Sequence, residues 1–294
     1  ERQRGDMDAA GPGAGEGARA AARCSGRCGR NGDWRVRIER SDAEVITGRS
    51  KDPLGATGAL LIVLMAGLAL LAPLLPLSDP SATDMLSAYL PPSAAHPFGT
   101  DALGRDVLAR TIWGGRTSLL IGLGIVAIGM AVGVTLGLFA AHAEGTLIEE
   151  AAMRLVDVFA AIPVLIWAIA VVGILGTGAT TLGPLALGNE AKLVLLVGLL
   201  FFPGIARISH GLALAELKND YVDARRLQGA SAPAILFGDV LPNILSPLLV
   251  QASVLIGIGI IIEASLSFVG LGVQPPTPSW GAMLADSKQT VFTG

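Results

Sequence analysis

A chain of 294 residues that is 52% hydrophobic and only 15% charged, with a mean hydropathy of +0.61, lacks the composition of a soluble domain. Its apolar residues stand in uninterrupted blocks rather than spread periodically, which excludes an ordinary soluble enzyme and points to a membrane protein. The net charge of −3 decides little, because orientation in a membrane follows local Lys and Arg rather than totals.

The first 50 residues are a different kind of text, exemplified by "DAAGPGAGEGARAAARCSGRCGRNG". Rich in Gly, Ala and Arg and nearly devoid of large apolar side chains, this tail has nothing to pack and is expected to be disordered. Its basic region is too long for a secretory signal, and no small-residue cleavage site follows the first apolar block, which is expected to stay as an anchor. Cys24 and Cys28 form a lone Cys-x3-Cys that cannot complete a tetrahedral metal site, so two free cytoplasmic thiols are the reading. A start codon assigned too far upstream would also explain the tail, since Met7 follows Glu1 closely.

Five apolar blocks follow. Gly58–Leu77 has twenty residues without a charge, enough to cover a hydrocarbon core of roughly 30 Å at about 1.5 Å per residue. Thr117–Ala141 is longer, Val158–Thr177 is of similar length, and every residue between Asp239 and Glu263 is uncharged. The fourth block, Leu193–Ala206, has fourteen residues between Lys192 and Arg207, extended by Ile208–Ala215. It is read as a span with snorkelling end charges; a buried or re-entrant segment is the alternative.

Eleven of the 21 Lys and Arg fall in residues 1–51, and Arg207, Lys218, Arg225 and Arg226 flank or occupy the connection before the fifth block. With five spans both regions lie on one side, and the positive-inside bias makes that side the cytoplasm.

Chemical motifs are missing. There is no Gly-x4-Gly-Lys-Ser/Thr phosphate loop, no His-Glu-x2-His pair and no Gly-x-Ser-x-Gly elbow. His96, His142 and His210 are scattered and read as loop or interfacial residues. The reading assigns the chain no catalytic residue, cofactor, metal site or nucleic-acid partner.

The cytoplasmic connection "NDYVDARRLQGASAPAILFGDVLPN" reads as two short helices. Asp220 is placed to cap the first, whose apolar positions Leu217, Tyr221 and Ala224 recur at helical steps, with Lys218, Asp223, Arg225 and Arg226 on other faces. Gly229 stops it in a left-handed C-cap, Ser231 caps the second with Pro233 in its first turn, and Pro242 is expected to end that helix before the fifth span. A thirty-residue connection with two capped helices is more than a plain loop needs. Its geometry suits a protein docked from the cytoplasm.

"YVDARRLQGAS", followed by "VLPN", resembles the coupling-loop motif of ATP-binding-cassette importer permeases: Glu-Ala-Ala, then Gly, then Ile-x-Leu-Pro. Asp223, Ala224, Gly229, Leu241 and Pro242 occupy matching positions, and Tyr221, Ala230 and Ser231 complete the coupling segment. Arg225 replaces the second alanine, and Leu227 and Gln228 depart from the usual order. "HPFGTDALGRDVLARTIWGGRTSL" (96–119), "MRLVDVFAAIP" (153–163) and "EASLSFVGLGVQPPTPSWGAMLAD" (263–286) are similar to the second permease of dipeptide, oligopeptide and nickel importers. The resemblance covers about residues 51–294.

It implies an all-α, polytopic type I transmembrane fold in the bacterial plasma (inner) membrane. It also implies a second permease subunit, two cytoplasmic ATP-binding subunits, an extracytoplasmic solute-binding protein and surrounding lipid. The family pattern has a sixth span beyond Pro-Ser-Trp-Gly, whereas no long apolar segment follows Trp280 here; a truncated sequence is expected, with a five-span variant as the alternative.

Three further features carry expectations. Gly129, Gly133 and Gly137 form a Gly-x3-Gly-x3-Gly face for close helix approach, read as packing within the subunit ahead of a permease–permease contact. Glu263, at the outer end of the fifth span, is a functional candidate by its depth, or else a partner of backbone amides in the Ser-Leu-Ser turn. Asp101, Arg105 and Asp106 offer either a binding-protein contact or local Arg–carboxylate pairing. Competing functions are an ion-driven secondary carrier, disfavoured by the lack of midplane charges and of an evident inverted repeat, and a truncated nonfunctional fragment.

Overall fold

The computed structural model describes residues 53–176, 178, 180–182 and 185–293. The residues described from Thr57 on belong to one compact unit. The tail, with Cys24, Cys28 and its expected disorder, lies outside the described residues.

Helix α1 (Pro53–Leu71) is apolar all round and leaves Leu60, Leu61, Ile62 and Val63 exposed, as lipid contact allows. A connecting segment with a short 3-10 turn at Met85–Ser87 leads to α2 (Val107–His142), the longest α-helix among the described residues. Then come α3 (Leu147–Ala160), α4 (Val164–Leu175), a small antiparallel hairpin of β1 (Thr180–Leu182) and β2 (Leu185–Leu187), α5 (Asn189–Leu200) and α6 (Phe202–Glu216). Thr180 pairs with Leu187 and Leu182 with Leu185. The short α7 (Asp220–Leu227), a π-helical stretch (Ala234–Val240), α8 (Leu241–Phe268) and α9 (Trp280–Thr293) complete the order.

Among the described residues, three helices are long and apolar enough to cross a membrane, or up to five if each bent pair is one span. Those pairs revise the third and fourth apolar blocks. Between α3 and α4 the chain turns by 80°, and between α5 and α6 by 44°. Both breaks fall at proline: Pro163 immediately precedes α4, and Pro203 sits in the first turn of α6. The ring removes a donor and crowds the preceding turn, so the α-helical ladder restarts there in a new direction.

Helix α2 is the post around which α5, α6 and α8 pack. Gly129, Gly133 and Gly137 face α6: a Cβ at Gly129 would stand 2.8 Å from that of Phe201, and one at Gly133 would stand 2.9 Å from the Phe202 carbonyl oxygen. Lys192 does not snorkel outward. It is 2% exposed, and its Nζ donates to the carbonyls of Gly176 and, at 2.7 Å, Gly178, closing the end of α4. Arg207 does reach the surface, where it pairs with Asp157.

Candidate functional site

At one end of the helix bundle, α7 is built from local signals. Asp220 and Asp223 stand in its first turn and Arg225 and Arg226 in its last, the arrangement that the helix dipole favours. Asn219, not Asp220, occupies the N-cap, and it makes no side-chain cap bond. The inward face is also not the expected one: Leu217 and Val222 are buried, whereas Ala224 is exposed. Gly229 stops the helix at φ 80°, with its amide 3.0 Å from the Arg226 carbonyl and that of Ala230 3.1 Å from the Arg225 carbonyl. These two bonds form a Schellman motif, which satisfies carbonyls that would otherwise be orphaned.

Beyond the turn, Ser231 provides no side-chain cap; Pro233 holds the position before the π-helical stretch. Pro242 ends nothing. It sits in the first turn of α8, where the α-helical ladder is only beginning and no donor is required. Ala234–Phe268 is therefore one continuous apolar helix of 35 residues, starting just after the Gly229 turn.

Polar side chains tie the base of this arrangement together. Tyr221 Oη donates to Glu216 Oε1 at 2.7 Å, and Asn243 Nδ2 donates to the same oxygen at 2.9 Å and to Tyr221 Oη at 3.0 Å. Arg225 Nε reaches Asp239 Oδ2 at 3.0 Å. The ends of α6, α7 and α8 are thereby joined. Burial, then the bond to the Glu216 carboxylate, hold the Tyr221 phenol above its ordinary pKa. Lys218 pairs with Glu144 at 3.0 Å and His210 with Glu149 at 2.9 Å, attaching the turn between α2 and α3.

What protrudes is the tip. Leu227 is 90% exposed, and Gln228, Gly229 and Ser231 are exposed beside it. Ala230 is half-buried against the core, Leu241 is half-buried, Pro242 is exposed, and Asp223 is held by Arg226 at 2.9 Å. In the sequence Leu227 was only a departure from the motif; as an exposed large aliphatic residue beside a small turn, it is the group most available to a partner.

At the opposite end, the segments 96–119 and 263–286 meet. Arg105 Nε donates to Asp101 Oδ2 at 2.6 Å, and its NH2 group reaches Asp286 at 3.1 Å. The buried Arg110 lies 3.5 Å from both aspartates. Asp106 caps α2 by accepting from Ala109 N at 2.8 Å and also binds His96 Nδ1 at 2.8 Å. Arg105 and Asp106 are thus buried, and all three charged residues of the expected binding-protein contact are engaged in local pairing.

Deeper in, Glu263 is 2% exposed. Its partners are not backbone amides but three serine hydroxyls: Ser118 at 3.2 Å, Ser267 at 2.8 Å and Ser279 at 3.0 Å. Trp280 N–H donates to Ser118 Oγ at 3.2 Å, and its Nε1–H to the Thr111 carbonyl at 3.0 Å. Gly114 and Gly115 admit this loop: Cβ atoms there would lie 3.2 Å from Ser279 and 2.8 Å from the Trp280 ring. Among the described residues no group of three His, Cys, Asp or Glu could hold a metal ion.

Between these ends lies a cavity of about 260 Å³ lined by Phe159, Pro163, Trp167, Phe201, Leu255 and Ile258, among others. Both proline breaks open onto it.

Bent and continuous apolar helices beside an open apolar cavity, with a polar elbow at one end, define a multi-pass membrane protein. The chain belongs to the family of binding-protein-dependent transport system inner membrane components, whose profile matches residues 133–294. It is similar to the di/tripeptide transport system permease protein of Pseudomonas aeruginosa, at 40% identity over 81% of this chain and 77% of the relative. The dipeptide transport system permease protein of Alkalihalophilus pseudofirmus is 36% identical over 82% of this chain and 75% of its own length. The glutathione transport system permease protein of Pectobacterium atrosepticum is 42% identical over 67% of this chain and 62% of its own. The chain is the inner-membrane permease component of an ATP-binding-cassette import system, which works with a separate ATPase and a binding protein.

Proposed function

We propose that this permease carries small peptides, the solute class named for its relatives, and couples to a cytoplasmic ATPase pair through residues 219–243. A second permease chain supplies the other wall of the path, two ATP-binding subunits close beneath, and the binding protein delivers solute from outside. The N-terminus lies in the cytoplasm on this reading, in keeping with the basic residues of the first 51 positions. Residues 1–50 form a tail, and 51–294 the transmembrane domain with its coupling loop at 211–243.

One observation carries the coupling assignment: a tip exposing Leu227 and Gly229 rests on a base locked by Glu216, Tyr221, Asn243, Arg225 and Asp239. A docked ATPase that moved the tip would move α8 with it. Gly129, Gly133 and Gly137 hold α2 against α6, the fixed wall for that motion. The proline-broken backbone is suited to line a wet path, because irregular backbone at membrane depth is tolerated only in protein or beside a water-filled cavity. The outer segment 78–106 faces the binding protein, with Asp101, Arg105 and Asp106 as its internal frame.

Site-directed crosslinking tests the assignment. With Cys24 and Cys28 replaced by Ser, Gln228→Cys should crosslink to the co-expressed ATPase in membranes, and ATP should change the yield. An inserted and assembled chain that gives no crosslink defeats it.

A further inference from the structure

We propose that Glu263 is a positioning residue that transmits movement between the inner coupling turn and the outer face. The inference rests on the coupling role of residues 219–243 and adds the far end of that lever.

A carboxyl group withdrawn from water persists where hydrogen bonds replace its hydration. Three elements supply them here: Ser118 from α2, Ser267 from α8 itself and Ser279 from the segment leading into α9. Each hydroxyl also accepts a backbone amide: Trp280 N on Ser118, Val273 N on Ser267 and Ala282 N on Ser279, at 3.1 to 3.2 Å. Glu263 therefore sits at the centre of a closed network that fastens α8 to α2 and to the Pro-Ser-Trp-Gly loop. About two turns before Ser118 on α2, Arg110 pairs with Asp286 of α9, as does Arg105 just ahead of the helix, so the same elements continue into the outer segment.

The other end of the helix is the coupling turn. From Leu241 to Glu263 α8 covers about 33 Å at 1.5 Å per residue, with Pro247 inside it, and the π-helical stretch from Ala234 leads straight into it. A shift at the turn arrives at Glu263 as a movement of α8, and the serine network decides whether α2 and the outer loop follow. Without it, α8 slides past α2 and the two faces lose communication. Hydrogen bonding rather than charge carries this role: Ser267 and Ser279 both donate to Oε1, which a glutamine retains, and the glutamine NH2 in the place of Oε2 would donate to Ser118 Oγ, keeping the α2 bond with its direction reversed.

The test uses the assembled importer in proteoliposomes, with ATP hydrolysis measured with and without its binding protein saturated with dialanine. Glu263→Ala should leave basal hydrolysis within about twofold of wild type and lower the binding-protein-dependent increment by about tenfold or more, a coupling loss of ordinary allosteric size. Glu263→Gln should restore the increment. A purely structural role would depress basal and stimulated rates together. An unchanged increment in Glu263→Ala, or an equal loss in Glu263→Gln, overturns the proposal. Should Glu263→Ala not assemble, Ser118→Ala removes the α2 bond and leaves two donors; it should show the same split, and a wild-type increment there also overturns the proposal. If wild-type Gln228→Cys gives no ATPase crosslink, the coupling reading itself fails, and this inference with it.

Discussion

Replacing Gly137 by alanine should loosen the α2–α6 contact, although alanine is the better helix former. A Cβ at that position would lie 2.6 Å from the Ala206 carbonyl oxygen, 0.8 Å short of the 3.4 Å at which ordinary contact begins. The Ser209 hydroxyl is also in the way, and it is held by bonds to the Gly133 and Ala206 carbonyls at 3.2 and 3.1 Å. Since two of the three obstacles are backbone atoms of α6, the helices must separate. Gly211 provides the matched control, because it lies within α6 and a Cβ there meets nothing within 4 Å. Both substitutions gain about 1 kcal/mol of helix propensity, so that term cancels between them. The remainder is the overpacking cost, about 1–3 kcal/mol against Gly137→Ala. Equilibrium unfolding of the two variants by sodium dodecyl sulfate in mixed micelles should place Gly137→Ala below wild type plus its propensity gain, and Gly211→Ala at or above wild type. Equal midpoints for the two variants would show that the glycine face does not set the helix separation.

Leu227→Ser should weaken ATPase docking without harming the fold. The side chain is 90% exposed in the isolated chain, whereas burying a leucine against a partner contributes about 1.5–3 kcal/mol, so co-purification of the ATPase should fall at least tenfold while thermal stability is unchanged. Undiminished co-purification would remove Leu227 from the interface. Tyr221 predicts an alkaline limit. Its folded pKa is raised, so the stability from its neutral phenol is complete below the ordinary tyrosine value of about 10 and is lost as pH rises through the higher folded value. Thermal denaturation between pH 8 and 12 should show a loss at the alkaline end that Tyr221→Phe lacks; identical profiles would refute the assignment.

The long spans were legible because α2 and α8 each carry more than twenty consecutive uncharged residues. The breaks were not, although Pro163 and Pro203 are plain in the sequence: hydropathy runs across both prolines without a change of sign. Pro242 illustrates the converse error, a residue that commonly follows a helix standing here at the start of one. Gly229 was readable because the left-handed turn it makes is local. Partners distant in sequence were beyond reach. Glu263 finds Ser118 across 145 positions, and the inward turn of Arg105 depends on Asp286 in α9. Leu227 escaped because exposure belongs to the packed structure rather than to any residue pattern.

The Arg105–Asp286 pair spans 181 positions, which gives the outer frame a place in time as well as in space. At about 5–20 residues per second, the ribosome needs roughly 10 to 40 s after adding Arg105 to reach its second carboxylate. Asp101, four residues before Arg105, is available at once and can neutralise that guanidinium during the interval. Arg110 waits for the same late arrival to acquire its second aspartate. This seam therefore cannot close before α9 has been made, and a nascent chain halted before α9 would leave it open.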